Sequence, residues 1–252
     1  MMITMSDIIA DFHIHTIGSM HAYSTLKECI DCAEERGLKY ISITDHYYND
    51  GTELNKKNEN NRILYLERQA SSIKKDVKVI GGAEFNLSQD IPDWEKLRKL
   101  RWKLIGAHGW FLDRKATTLN MLYNYYEKAA NKMDAFAHIE REVDKIEGKR
   151  YAGNVSNDVK KFYDELVIMA KKRNIILELN ESSLRKNDDI MKQRIMYWMK
   201  KAKENGNLIS LGTDSHYCEE IGVFDYAIEI LNEINFPKDR ILNCNEELIQ
   251  LL

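Results

Sequence analysis

The sequence predicts an α/β fold in which parallel strands are joined by crossover helices, a (β/α)-barrel or a close relative. Three observations predict it. Short apolar runs alternate seven times with longer amphipathic segments. Residues that stop helices, Gly37, Asn174 and Gly206, stand just before the next apolar run. The 252 residues hold no proline-rich linker, Pro92 and Pro237 being the only prolines, which suits one domain with one sizeable core. Periodicity alone does not close a barrel, so an open doubly wound sheet is the alternative.

Taken in order, the strands are expected near Ile8–Phe12, Tyr40–Thr44, Lys78–Phe85, Lys103–Ala107, Ala135–Ile139, Ile175–Leu179 and Leu208–Gly212. The helical patterns between and after them lie near 24–36, 60–75, 93–100, 117–132, 157–173, 188–204 and 224–233. Thr25-x-x-Glu28 has the spacing of a capping box opening the first helix. Leu26, Cys29, Ile30 and Ala33 share one face of that helix. Cys29 and Cys32 therefore read as small hydrophobes, although C-x-x-C is also a zinc or redox spacing. The remaining cysteines, Cys218 and Cys244, do not form a second such pair.

Composition narrows the function classes. Apolar residues make up 44% and charged residues 31%, the mixture of a globular protein. A formal charge of −3 argues against general binding to nucleic acid or membrane surfaces. No apolar run approaches the length of a membrane span. The segment MMITMSDIIADFH lacks a basic stretch followed by an apolar signal core, so a cytoplasmic location is expected.

Chemistry enters with the seven histidines. His13 and His15 end the first expected strand, His21 lies in the loop after it, and His46 follows the second. His108 follows the fourth, His138 ends the fifth and His216 follows the seventh. Glu84 and Asp214 hold equivalent places after the third and seventh strands. In a parallel barrel the strand C-termini share one rim, so all these side chains converge. The i, i+2 spacing of His13 and His15 points both rings the same way. Burying imidazoles beside carboxylates is costly without compensation, and metal ions supply it. At about three protein ligands per catalytic ion, nine ligands with one bridging carboxylate suit about three ions. Three divalent ions and two carboxylates leave a charge of about +4, a pocket for hydroxide and a phosphate ester dianion. Residue counting thus points to hydrolysis of a phosphoester. Histidine-rich sites suit zinc, manganese or iron better than calcium or magnesium.

The ordered motifs DFHIHT, HAYST, ITDH, GAEFN, IGAHGWF, FAHIE, LELNESS and LGTDSH resemble those of the PHP (polymerase and histidinol phosphatase) family. Within it the chain looks most like the small stand-alone bacterial YcdX-like phosphatase branch. The resemblance implies a distorted (β/α)7 barrel, a single PHP-type metal-dependent phosphoesterase domain over residues 1–252, and a trinuclear zinc centre. It implies one ion held by His13, His15, Glu84 and Asp214. Glu84 would bridge to a second ion held with His108 and His138, and His21, His46 and His216 would hold the third. Two features depart from many relatives. Ile139 stands where proline is common after the fifth-strand histidine, and Gly109-Trp110-Phe111 brings aromatics near the rim.

The expected reaction is attack of a metal-bridging hydroxide on a phosphomonoester, with a small phosphorylated metabolite as substrate. Asp11 and Asp45 are expected to orient imidazoles through their N–H groups. Arg114, Lys115, Arg141 and Arg185 are candidate phosphate contacts. Asn180 and Glu181 end the sixth strand on the same rim, and Asn180 could reach substrate or orient a ligand. Histidinol phosphatase is the main alternative activity. A phosphodiesterase or nuclease and a non-catalytic metal-binding module are further ones. An amidohydrolase barrel also opens with H-x-H, but here His108 stands where that class places a bridging lysine.

Overall fold

Each apolar run lies beside its sequence neighbour, because the strands are laid down in chain order. β1 (Ala10–Ile14), β2 (Tyr40–Ile43), β3 (Lys78–Asn86), β4 (Trp102–Gly106), β5 (Ala135–Phe136), β6 (Ile176–Asn180) and β7 (Ile209–Gly212) form one parallel series in that order. The structure, a computed structural model, describes residues 2–47, 63–86, 94–106, 117–148, 155–186 and 188–252. Helices surround the strands: α1 (Leu26–Glu35), α2 (Leu66–Ala70), α3 (Trp94–Leu97), α4 (Leu119–Ala129), α5 (Ile139–Glu147), α6 (Asn157–Lys172), α7 (Glu181–Leu184), α8 (Asp189–Asn205), α9 (Asp225–Glu233) and α10 (Glu246–Gln250). Among the described residues no helix is long and apolar enough to cross a membrane.

Local chemistry sets the helix ends. The Thr25 capping box forms: Glu28 N–H donates to Thr25 Oγ1 at 3.3 Å, and Thr25 N–H donates to Glu28 Oε2 at 2.7 Å. Asn174 takes a left-handed φ of 56° just after α6, and Gly206 closes α8 at φ 70°. The fifth strand is shorter than its apolar run suggests. It ends at Phe136, and His138 becomes the N-cap of α5 at φ 29°, a positive value rare for a side-chain-bearing residue.

The seam between β7 and β1 nearly closes the barrel. Asp214 N–H donates to His13 O at 2.7 Å and His15 N–H to Ser215 O at 2.9 Å. Lower down, a side chain replaces the strand ladder. Asn243 Nδ2 donates to Ala10 O at 2.8 Å and to Leu211 O at 2.9 Å, while its Oδ1 accepts Leu211 N–H at 2.6 Å.

Ala10, Phe12, Tyr40, Ile80, Trp102, Leu104, Ala135, Ala137 and Ile176 meet in one buried cluster contributed by six strands. Phe12 and Trp102 meet across it as a tilted pair with centroids 5.0 Å apart, and Trp102 Nε1 donates to Phe12 O at 3.0 Å. Ile14, two residues beyond Phe12, packs instead with Cys29, Ile30 and Ala33 of α1. A register shift between Asp11 and Ile14 explains the switch of face. The extra residue is a β-bulge, which re-aims everything after it.

Candidate metal centre

The bulge turns His13 and His15 together into the barrel mouth. Their Nε2 atoms stand 3.0 Å apart. Glu84 Oε2, from β3, lies 3.3 Å from His13 Nε2 and 3.4 Å from His15 Nε2. Asp214 Oδ1, just after β7, lies 3.5 Å and 3.2 Å from the same two nitrogens. Asp214 holds this place at a left-handed φ of 53°, the kind of strain that concentrates at functional sites. A tetrahedron with ligand bonds of about 2.1 Å has edges of about 3.4 Å. The five distances, 3.0–3.5 Å, lie near that edge length.

Hydrogen bonds fix which ring nitrogens face the centre. His13 Nδ1 contacts Glu178 Oε1 at 2.6 Å. A carboxylate accepts, so Nδ1 carries a proton and Nε2 is the atom turned toward the centre. Glu178 Oε2 also takes His138 N–H at 3.0 Å and Asn180 Nδ2 at 3.1 Å, so one carboxylate ties β1, β5 and β6 together. For His15 the tie is a relay. His15 Nδ1 lies 3.0 Å from Ser19 Oγ, which donates to Asp45 Oδ1 at 2.7 Å. Asp45 also accepts Thr16 N–H and the Thr16 hydroxyl. Asp45 thus acts on an imidazole, through a serine.

Asp11 differs from expectation. Its carboxylate accepts the Thr213 N–H at 3.1 Å, the Thr213 hydroxyl at 2.6 Å and the Gly222 N–H at 3.0 Å. The bulge separates its face from that of His13 and His15, so Asp11 binds seam backbone and touches His13 only at its N–H. The orienting carboxylate is Glu178, which the sequence reading missed. Its signal was present: a charged residue inside the apolar run ILELN, two places before Asn180.

Glu84 reaches further. Its Oε1 lies 2.8 Å from His138 Nε2 and its Oε2 lies 3.1 Å from His46 Nδ1. Gly106 makes this approach possible, since a Cβ there would meet Glu84 Oε1 at 2.8 Å and run into the His138 ring. Gly212 is confined in the same way by Glu178 and His13. Toward solvent, the His21 ring sits 5.0 Å from His46 and 4.7 Å from His216, and His15 lies 4.5 Å and 4.7 Å from the same two rings. His216 Nδ1 donates to Asp214 O at 3.0 Å, leaving its Nε2 free of a proton. Three sets of side chains bring donor atoms close enough to share an ion: His15, His46 and His216; His13, His15 and Glu84; and His13, His138 and Asp214.

Electrostatics separate the deep and outer parts. Burial opposes a charged His13 ring, but Glu178, Asp214 and Glu84 outweigh it and raise its pKa well above the ordinary imidazole value. Burial likewise opposes an ionised Asp214, yet Arg141, His13 and His15 hold it well below the usual carboxylate range. The deep part therefore demands positive charge. Farther out, burial and the neighbouring His15 push His216 down to about 4, and the same two causes lower His21. These rings stay neutral at pH 7, the form that binds metals.

Arg141 and Asn180 both reach the site, and their bonds brace it. Arg141 Nη2 donates to Asp214 Oδ2 at 2.7 Å and to Asn180 Oδ1 at 2.8 Å, while its Nε donates to Ser183 Oγ at 2.8 Å. Glu181 turns away and accepts Tyr226 N–H at 3.2 Å and Ala227 N–H at 2.8 Å at the start of α9. Arg185 pairs with Glu220 at 2.6 Å. His108, Gly109, Trp110, Phe111, Arg114 and Lys115 lie outside the described residues.

Comparison with known proteins agrees with this geometry. The PHP domain profile matches residues 11–182. Proteins named "Probable phosphatase" are similar over nearly the whole chain. That of Vibrio parahaemolyticus is 30% identical, covering 95% of this chain and 90% of its own. That of Clostridium botulinum is 30% identical, covering 96% and 92%. Among solved structures, histidinol phosphate phosphatase of Lactococcus lactis, described in complex with zinc, L-histidinol and phosphate, superposes with a TM-score of 0.59. It is 17% identical, covering 92% of this chain and 93% of its own. A putative histidinol phosphatase of Listeria monocytogenes gives 0.61 at 15% identity, covering 86% and 98%. At these identities the two structures speak for the fold.

Proposed function

Because the chain belongs to the PHP domain family, we propose that it is a metal-dependent phosphatase acting on a phosphomonoester. One observation carries the reading: the Nε2 atoms of His13 and His15 and a Glu84 carboxylate oxygen lie 3.0–3.4 Å from one another, close enough to share an ion, and Asp214 Oδ1 lies 3.2–3.5 Å from the same two nitrogens. His13, His15, Glu84 and Asp214 would hold one divalent ion, Glu84, His138 and His108 a second, and His21, His46 and His216 a third. The nitrogen-rich donor set favours zinc, with manganese or iron next. Divalent ions bound there would acidify a water and neutralise charge on the phosphoryl oxygens.

The chain's own residues prepare the pocket for that chemistry. Glu178 holds the His13 ring in one tautomer, and the Ser19–Asp45 pair does the same for His15. Arg141 and Asn180 brace Asp214 and Glu178 through hydrogen bonds, which restrains the Asp214 carboxylate. The substrate is a small phosphorylated metabolite, met in the cytoplasm.

The test joins elemental analysis to a phosphomonoester panel that includes an aryl phosphate and histidinol phosphate. Stoichiometric metal is expected, with turnover abolished by a chelator and by His15→Ala. A full metal load with no hydrolysis of any ester would instead identify a metal-binding module.

A further inference from the structure

The loop after β1 turns back on itself at Ser19. Beyond Thr16 the chain makes the short turn Ile17–Ser19. Ser19 N–H donates to Thr16 O at 2.8 Å, Gly18 N–H donates to Thr16 Oγ1 at 3.1 Å, and Met20 leaves at a left-handed φ of 62°. Asp45, just after β2, anchors this turn. Its Oδ1 accepts Thr16 N–H at 2.8 Å and its Oδ2 accepts the Thr16 hydroxyl at 2.7 Å. The turn carries Ser19, fully buried, back beside the His15 ring.

There one oxygen makes three bonds. Ser19 Oγ donates to Asp45 Oδ1 at 2.7 Å, stands 3.0 Å from His15 Nδ1, and accepts His46 N–H at 3.2 Å. A carboxylate only accepts, so the single serine proton goes to Asp45. Toward His15 the oxygen then accepts, and Nδ1 supplies the proton. Donating once and accepting twice from one atom is what a hydroxyl does. A carboxylate in its place could not donate to Asp45, and an ammonium could not accept from either histidine.

We propose that Ser19 is a positioning residue that presets the ligands of two ions at once, by holding the His15 ring and the His46 main chain on one oxygen. The inference rests on the metal-centre reading above, in which His15 belongs to one ion and His46 to another. Asp45 extends the tie, since its main-chain oxygen accepts Glu84 N–H at 3.3 Å. Segments from β1, β2 and β3, each bearing a ligand, are thus joined behind the pocket. Outer hydrogen bonds of this kind hold ligands in their bound geometry before an ion arrives.

The test uses the zinc-loaded protein. In the wild type, nitrogen NMR should show the His15 ring protonated at Nδ1, with that proton and the His46 amide proton both slow to exchange with solvent. In Ser19→Ala both should exchange faster. Competition with a chromophoric chelator should then show two ions held about 10–100-fold more weakly than in the wild type. Asp45→Asn retains an oxygen able to take the serine proton, so the His15 proton should persist and the loss of affinity should be smaller. A wild-type His15 ring protonated at Nε2 would overturn the proposal without recourse to any variant. So would Ser19→Ala with unchanged zinc affinity, or with the His15 proton freed and the His46 amide as protected as before. Wild-type protein that takes up no zinc would instead overturn the metal-centre reading, and this proposal with it.

Discussion

The barrel interior has two layers drawn from the same strands and held together by opposite means. The lower layer, around Phe12, Trp102, Leu104 and Ile176, is apolar and closes on itself. The upper layer, His13, His15, Glu84, His138, Glu178, Asn180 and Asp214, is just as buried but consists of imidazoles, carboxylates and an amide. Removing water stabilises the lower layer, at roughly 1.5–3 kcal/mol for each large side chain. The same removal costs the upper layer, unless each charge meets an opposite one. Folding free energy therefore sits below, and a need for cations sits above.

Two substitutions should break this division most sharply. Trp102→Ala should lower stability by about 3–5 kcal/mol in urea unfolding, while the molecules that remain folded keep their metal content and turnover. His15→Ala should do the reverse. Its kcat/KM on an aryl phosphate should fall at least about 1,000-fold, worth about 4 kcal/mol, with metal lost by elemental analysis and the urea midpoint of the metal-free protein no lower. If His15→Ala unfolds the metal-free protein, the upper layer is structural after all.

A subtler change sharpens the boundary. Glu178→Gln keeps the shape but removes the charge opposite His13 Nδ1, and should weaken metal binding or activity by about 10–100-fold. Competition with a chromophoric chelator would read the affinity. At the seam, Asn243→Ala strands buried carbonyls of β1 and β7, and should cost about 2 kcal/mol of stability. Its metal affinity should fall less than that of Glu178→Gln, although both touch β1. The smallest effect belongs outside the barrel: Thr25→Ala should cost about 1 kcal/mol and leave metal binding unchanged. A loss of metal in that variant would show that α1 tensions the β1 loop.

Much of this was legible in the residues. The alternation of apolar runs and amphipathic stretches placed all seven strands, because each run is buried on both faces and bounded by caps such as Thr25 and Asn174. The convergence of His13, His15, His46, Glu84, His138, Asp214 and His216 followed from their places at strand ends. What escaped depended on geometry that periodicity does not encode. One inserted residue in β1 separated the face of Asp11 from that of the histidines it was expected to orient. Glu178 was hidden because an apolar run was read as uniformly core, although its side chain aligns His13. The fifth strand was drawn too long, since nothing in FAHIE announces that His138 turns the chain into a helix. Asn243 gave no signal, as a lone asparagine near a turn looks like surface.

The bond from Asn243 to Ala10 joins positions 233 residues apart. Apart from this seam, the strand contacts form between consecutive βα units, so they can assemble progressively. This one waits for almost the whole chain, and slow kinetics attend such distant encounters. His13 and His15 lie on one side of that junction and Asp214 and His216 on the other. Capture of the metal by a refolding chain would therefore time the last step of its assembly.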